Sequence, residues 1–252
     1  MKYAIYSKKK DEISLNLIDE IKHGIKLKYD GKNPDIVITV GGDGTFIRAV
    51  HNYIDNLCNI VFFGIKTGHL GFYSNYTKEN INELVDRINN NNFEIENHDL
   101  VKWECNGKSG YSLNEITIVN PCATQIVDVY IDKEKFETVR GTGLCICTTN
   151  GSTAYNKSLG GPVVDPKLGC LILSEMASIN SNAYRSLNSS LVLSNNHKLE
   201  LVSKNAMYLT SDHLKYEIEG ENTIVCYLSD KKVKSGTNKS SIFIDRIKKS
   251  FL

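Results

Sequence analysis

The stretch Thr39-Val40-Gly41-Gly42-Asp43-Gly44-Thr45-Phe46 constrains this chain more than any other. It follows Asp35-Ile36-Val37-Ile38, which reads as a buried strand, and leads into Ile47, Val50 and Ile54, spaced along one helix face. A strand, a turn with three glycines and a helix start form an anion site, because backbone N–H groups and the helix dipole point out of the turn. The N–H groups of Gly42, Gly44 and Thr45 are the predicted donors to nucleotide phosphates, with Gly41 beside them. A carboxylate next to bound phosphate is unfavourable unless it handles a metal or a proton. Asp43 therefore points to phosphoryl transfer, as a base that takes a proton from an attacking hydroxyl. The plainer alternative is a tight turn whose glycines supply positive φ and whose Asp43 caps the helix. Neither the G-x-G-x-x-G fingerprint nor a Gly-Lys-Ser/Thr loop is present.

Around this turn the first hundred residues alternate strands and helices. Residues 2–6 read as a strand, and Ile13, Leu17, Ile21 and Ile25 as the apolar face of a helix. Residues 31–34 form a turn. Asn59-Ile60-Val61-Phe62-Phe63-Gly64-Ile65 lacks alternation, as a strand covered on both faces should. It ends in a second glycine loop, Lys66-Thr67-Gly68-His69-Leu70-Gly71-Phe72, before a helix marked by Ile81, Leu84, Val85 and Ile88. This order predicts a parallel, doubly wound α/β unit with ligands at the carboxyl ends of its strands, where both glycine loops fall.

Beyond residue 95 the period changes to two. Val127, Val129 and Ile131 alternate with polar residues, and Ser194-Asn195-Asn196-His197-Lys198 between two apolar runs reads as a hairpin. Residues 100–230 are expected to form a mostly antiparallel β domain, interrupted by helix-like composition at 152–158. The tail, with Ile242, Phe243, Ile244, Ile247 and Phe251, is apolar enough to dock on the first domain. A formal charge of +1 favours neither nucleic acid nor membrane. Seven cysteines without a C-x-x-C pair, and an N-terminus too short and polar for a signal peptide, fit a reduced, cytoplasmic protein. The His residues and carboxylates show no metal-ligand spacing, so the expected divalent cation is one carried by a nucleotide.

The second polar constellation is Thr149-Asn150-Gly151-Ser152-Thr153-Ala154-Tyr155-Asn156-Lys157-Ser158, followed by Leu159-Gly160-Gly161-Pro162. Asn150 or Ser152 can N-cap a short helix there. Its small polar groups suit a ligand bearing hydroxyls and an amide, or else form a Ser/Thr-rich loop between strands. Asn114-Glu115 interrupts a strand as a polar pair or lies at a sheet edge. Asp212-His213 is a turn or a ligand carboxylate.

These motifs, in this order and spacing over residues 36–214, resemble the NAD kinases. Gly41-Gly42-Asp43-Gly44-Thr45 is similar to their first motif, which lipid kinases of the diacylglycerol and sphingosine type also carry. Lys66 to Phe72, Asn114-Glu115 and Gly151 to Pro162 are similar to their later motifs. The resemblance implies phosphorylation of the adenosine ribose 2′-hydroxyl of NAD by ATP or polyphosphate with Mg²⁺, giving NADP. It implies a Rossmann-like α/β domain over 1–99, a β-sandwich over 100–232 and a tail over 233–252 that returns to the first domain. By position, Asp43 is the base, Gly44 lies against the dinucleotide, and Gly41 and Gly42 face the ATP phosphates. Phe72 packs on adenosine, and Asn114 and Glu115 hold the ribose. Thr153, Ala154, Tyr155 and Ser158, with Asn156 and Lys157 in the same segment, bind the dinucleotide, joined by Ala177 and Asp212. It further implies a homodimer or homotetramer in which Arg140 reaches a neighbouring subunit's site. This chain departs from the family at Thr142, where an Asp is usual, and at Thr149-Asn150, where Pro-Thr is usual. The first removes a charge from the binding set, and the second relaxes the loop entry. A lipid kinase is the competing enzyme reading, but no basic amphipathic face accompanies the motif.

Overall fold

The computed structural model describes residues 1–8, 11–68, 71–180, 182, 185–237 and 243–252. His69, Leu70 and Ile242, named above, lie outside the described residues. The chain forms two compact units, Met1–His98 with Lys232–Leu252, and Asp99–Lys231.

The first unit is a parallel sheet. β1 (Lys2–Ser7) lies between β2 (Lys28–Tyr29) and β3 (Ile36–Val40), and β3 pairs with β4 (Val61–Lys66). β4 also pairs, again parallel, with β5 (Tyr76–Thr77) and with Lys234 and Ser235 near the end of the strand Asn222–Thr237. Successive side chains of a strand point to opposite faces, so the two phenylalanines of β4 serve different cores. Phe63 packs with Leu17 and Ile21 of α1 (Glu12–Gly24) and with Leu84 and Ile88 of α3 (Ile81–Asn89). Phe62 meets Phe46 of α2 (Asp43–Asn52). The sheet is therefore covered on both faces, as its unbroken apolar strands require. Two positions depart from the helical pattern. Ile13 is 55% exposed and Ser14 is buried in its place. Ile54 lies beyond α2, in the 3₁₀ turn that follows.

The second unit is a β-sandwich. β6 (Glu94–Cys105) carries the chain into it and pairs with β7 (Lys108–Ser112). One sheet adds β9 (Gln125–Ile131), β10 (Glu134–Gly141), β14 (Lys198–Ser203) and β17 (Asn222–Thr237), in the order β10-β9-β14-β17 with β6 beside β17. The other contains β8 (Glu115–Val119), β11 (Gly143–Cys147), β12 (Cys170–Met176), β13 (Leu191–Ser194), β15 (Met207–Ser211) and β16 (Leu214–Ile218), antiparallel throughout, in the order β13-β12-β11-β8-β15-β16. Val127, Val129, Leu199, Leu201 and Ile224 from the first meet Ile116, Ile118, Leu144, Ile146 and Leu209 from the second in one core. The hairpin expected at 194–198 does not form. β13 pairs with β12 and β14 pairs with β9 and β17, so that turn crosses between sheets. Alternation marks which face of a strand is buried, but it does not name the partner strand.

Ile146 is fully buried in this core, whereas Ile126 of the same unit is 39% exposed. Ile146→Ala is expected to cost about 2–5 kcal/mol and Ile126→Ala less than about 1 kcal/mol, measured by urea denaturation.

Candidate active site

The Gly41–Thr45 turn sits where β3 ends and α2 begins. Gly42 is the N-cap, and the carbonyl of Gly42 accepts from the Thr45 amide at 2.8 Å and the Phe46 amide at 3.2 Å. The Thr45 N–H is thus engaged within the helix, which leaves the first-turn amides of 42–44, without internal partners in a helix, as the candidate donors to an anion. Gly41 has φ +151°, and a Cβ there would lie 2.8 Å from the Thr45 Cβ. Gly42 and Gly44 are different: neither has positive φ, and a Cβ on either would meet nothing within 4 Å. The fold itself does not demand glycine at these two positions. Glycine there leaves the turn's outer surface open to the close approach of a ligand.

Asp43 does not cap its own helix. Its carboxylate Oδ2 accepts the Phe72 amide at 2.8 Å and Oδ1 accepts the Tyr73 amide at 3.0 Å. Gly71 allows this, because a Cβ on it would press into the Asp43 carboxylate, 2.6 Å from Cγ. The Tyr73 ring stacks on Phe46 of α2, centroids 5.0 Å apart and planes 8° apart. The first glycine turn and the described end of the second loop are thus joined through one carboxylate and one aromatic pair.

In the second unit, Asp212 plays the matching part. It occupies the β15–β16 turn with φ +51°, and its carboxylate accepts the amides of Leu113 and Asn114 at 2.8 Å each and of Glu115 at 3.3 Å. Asp212 is accordingly a turn residue whose carboxylate shapes the break between β7 and β8. β8 pairs on both sides, with β11 and β15, so the sheet-edge reading of Asn114-Glu115 is excluded. Glu115 Oε2 is buried with no hydrogen-bond partner among the described residues. Burial, then the nearby Asp212 charge, push the Glu115 carboxyl up to about 7, against a hydrogen bond from the Tyr155 amide. A buried acceptor left open in this way is a place for a ligand's donor.

The 149–162 segment forms a 3₁₀ turn (Gly151–Thr153) and the short helix α4 (Tyr155–Ser158). Neither residue expected to cap it does so. Asn150 stands at the N-cap without a side-chain cap bond, and Ser152 is fully buried, its hydroxyl exchanging hydrogen bonds with Val164. The Thr148 hydroxyl caps instead, accepting the Gly151 amide at 3.1 Å while donating to the Leu113 carbonyl at 2.7 Å. Thr149 is buried and bonds to the Pro166 carbonyl at 3.3 Å. Two threonine hydroxyls therefore hold the loop entry where relaxation was expected. Asn156 turns inward, with Nδ2 donating to the Pro162 carbonyl and Oδ1 accepting from Ser174, so its side chain belongs to the scaffold. Tyr155, Lys157 and Ser158 are exposed, and Thr153 and Ala154 half-buried.

Thr142 is the exposed residue at which the chain leaves β10 for β11, and its amide donates to the Met176 carbonyl at 2.8 Å. That bond places it beside Ala177, which adopts φ +46°. The neighbouring Arg140 carbonyl accepts the Ile179 amide at 2.7 Å. Ala177 shares a hollow of about 420 Å³ with Leu159, Gly160, Glu175 and Asn188.

Family models cover most of the chain: the ATP-NAD kinase N-terminal domain matches residues 4–93 and the ATP-NAD kinase C-terminal domain residues 113–235. The NAD kinase of Shouchella clausii (strain KSM-K16) is 40% identical over 266 residues, covering 100% of this chain and 99% of that protein. The chain belongs to the NAD kinase family. The NAD kinase of Geobacillus stearothermophilus is 38% identical over 261 residues, covering 99% and 96%. An NAD kinase from Archaeoglobus fulgidus, solved in complex with ATP, superposes with TM-score 0.80 at 25% identity, covering 100% of this chain and 97% of that one. Yeast NADH kinase complexed with NADH shares the fold, with TM-score 0.85 at 16% identity over 98% and 86%. The lipid kinase reading, which rested on the first motif alone, gives way to an NAD kinase match that extends through the second unit.

Three residues that hold neighbours of the candidate residues in place were not singled out from the sequence. Tyr73 directly follows the quoted second loop, and Thr148 precedes the quoted signature. Arg246, discussed below, had no sequence signal.

Glu115 binds its proton more tightly folded than unfolded, since its carboxyl is raised to about 7 from 4.5. The stability this proton confers is complete below the unfolded value and is lost as pH rises through 7. Glu115→Gln removes that loss. Relative to the variant, the wild type is expected to lose about 1–3 kcal/mol between pH 5 and 8, read as diverging melting curves. Parallel curves would contradict the burial of the charge.

Proposed function

We propose that this chain transfers the γ-phosphoryl group of ATP to the 2′-hydroxyl of the adenosine ribose of NAD, giving NADP and ADP. The observation that carries this reading is the Asp43 carboxylate, oriented by two amides at the mouth of an open glycine turn, in a chain of the NAD kinase family. Each carboxylate oxygen uses one lone pair on an amide and keeps another for a proton. In the proposed step the 2′-oxygen attacks the γ-phosphorus, its proton passes to Asp43, and the bond to the β,γ-bridging oxygen breaks with its electron pair leaving on ADP. The transition state is loose, so positioning and charge stabilisation supply most of the rate. Mg²⁺ enters with the ATP as part of that substrate, and polyphosphate offers a donor of the same chemistry.

Gly42 and Gly44 leave room for phosphates and ribose, with Gly41 forming the turn beside them and Phe72 against adenosine. Glu115 offers its open buried oxygen to a ribose hydroxyl, with Asn114 beside it, and the exposed Tyr155, Lys157 and Ser158 with Thr153 and Ala154 meet the dinucleotide. Arg140, Thr142, Asn150 and Ala177 complete the binding set, and Asn156 and Asp212 act by shaping it. A homodimer or homotetramer, with Arg140 reaching the neighbouring subunit, fits this reading. Seven free cysteines fit a reducing, cytoplasmic setting.

Asp43→Asn tests the base. A positioned base contributes about 10²–10⁴-fold, so NADP formation from NAD and Mg-ATP should fall by about 10²-fold or more, with the fold retained by circular dichroism. A variant retaining more than about a tenth of the wild-type rate would show that Asp43 is not the base.

A further inference from the structure

The segment that Asp43 grips is also held from beyond its other end. Asn75, two residues after Tyr73, is fixed through both ends of its amide. Its Nδ2 donates to the Gly236 carbonyl at 3.2 Å, and its Oδ1 accepts from Arg246 Nη2. Arg246 belongs to the C-terminal helix, α5 (Phe243–Phe251), and is the one buried residue of that helix at 5% exposure. The same Nη2 lies 3.9 Å from Glu96 Oε2, and Arg246 Nε is buried with no partner among the described residues. On the same helix, Phe251 packs on Phe72 with ring centroids 5.7 Å apart.

The apolar tail was expected to dock through its hydrophobic residues, yet Ile244 is 56% exposed and the cation is buried. Taking a guanidinium out of water costs several kcal/mol unless it is well paired, and an apolar side chain would anchor a helix without that cost. Burial pulls the Arg246 pKa below its ordinary value, while the carboxylates of Glu96 and Asp43, and Tyr73, pull it back. The segment 72–75 is thus set at one end by Asp43, through two amides, and at the other by Arg246, through Asn75.

We infer that Arg246 is a positioning residue for Asp43: by fixing Asn75 it sets the Phe72 and Tyr73 amides that orient the carboxylate. The inference rests on the proposed role of Asp43 as base. A residue that only anchored the helix would act on stability, independently of Asp43. One that acts through Asp43 should lose its effect when Asp43 is gone, which a double-mutant cycle measures.

The experiment compares Arg246→Gln in the wild-type and Asp43→Asn backgrounds, with NAD and Mg-ATP as substrates. In the wild type, kcat should fall about tenfold or more, a change of ~1.4 kcal/mol in the barrier, while KM for NAD stays within about threefold. In the Asp43→Asn background the same substitution should alter the residual rate by less than about twofold. Equal losses in both backgrounds, or no loss in the wild type, would overturn the inference. Failure of the base reading shows separately, in the rate of Asp43→Asn alone. Should Arg246→Gln not fold, Arg246→Lys decides, since it keeps the charge but not the planar fork. A kcat loss of about threefold or more at unchanged melting temperature, absent in the Asp43→Asn background, supports the inference. A wild-type kcat overturns it.

Discussion

The first unit's site depends on two hydrogen bonds, from the Phe72 and Tyr73 amides to the Asp43 carboxylate. An Asp at the head of a helix would ordinarily fold back onto its own N–H groups or turn to solvent. Here the absence of a Cβ on Gly71 lets a neighbouring backbone come close enough to claim both oxygens. The helix amides stay available for an anion, and the carboxylate is held rigid at the edge of the space they face. The proposed base and the proposed phosphate cradle are thus adjacent residues, and the acid does not occupy the cradle.

The second unit solves a different problem by the same means. A break between two strands leaves backbone amides that must find acceptors, and Asp212 supplies them for Leu113, Asn114 and Glu115. The cost falls on Glu115, whose carboxyl is buried beside that negative charge and rises to about 7 as a result. One of its oxygens is left without a hydrogen-bond partner among the described residues. In both units an aspartate on one element organises the backbone of another, and in the second the open oxygen of Glu115 lies where a ligand is expected.

Much of this was legible from residues alone, for stated physical reasons. Unbroken apolar strands such as Val61 to Ile65 can only belong to a sheet covered on both faces, and Leu17, Ile21, Leu84 and Ile88 declare helix faces that bury. Motif spacing singled out Asp43, Glu115 and the 151–162 segment as candidates. Strand partners were not legible at 194–198, because alternation records burial and not neighbours. Nor was the direction of a small polar side chain. Ser152 read as a helix cap and Asn156 as a ligand group beside Tyr155, and only the packing turns them inward to Val164 and Ser174. The buried cation Arg246 lay hidden in a tail that read as apolar, since its partners Asn75 and Glu96 are distant in sequence.

The most direct measurement is the ³¹P NMR spectrum of the product formed by the wild-type protein from NAD and Mg-ATP. A chain acting as described converts NAD to a species with one new phosphomonoester signal at the adenosine 2′-position, formed in equal amount with ADP. Release of inorganic phosphate without that signal, or a phosphomonoester at any other hydroxyl, would contradict the assignment of Asp43 to the ribose 2′-hydroxyl.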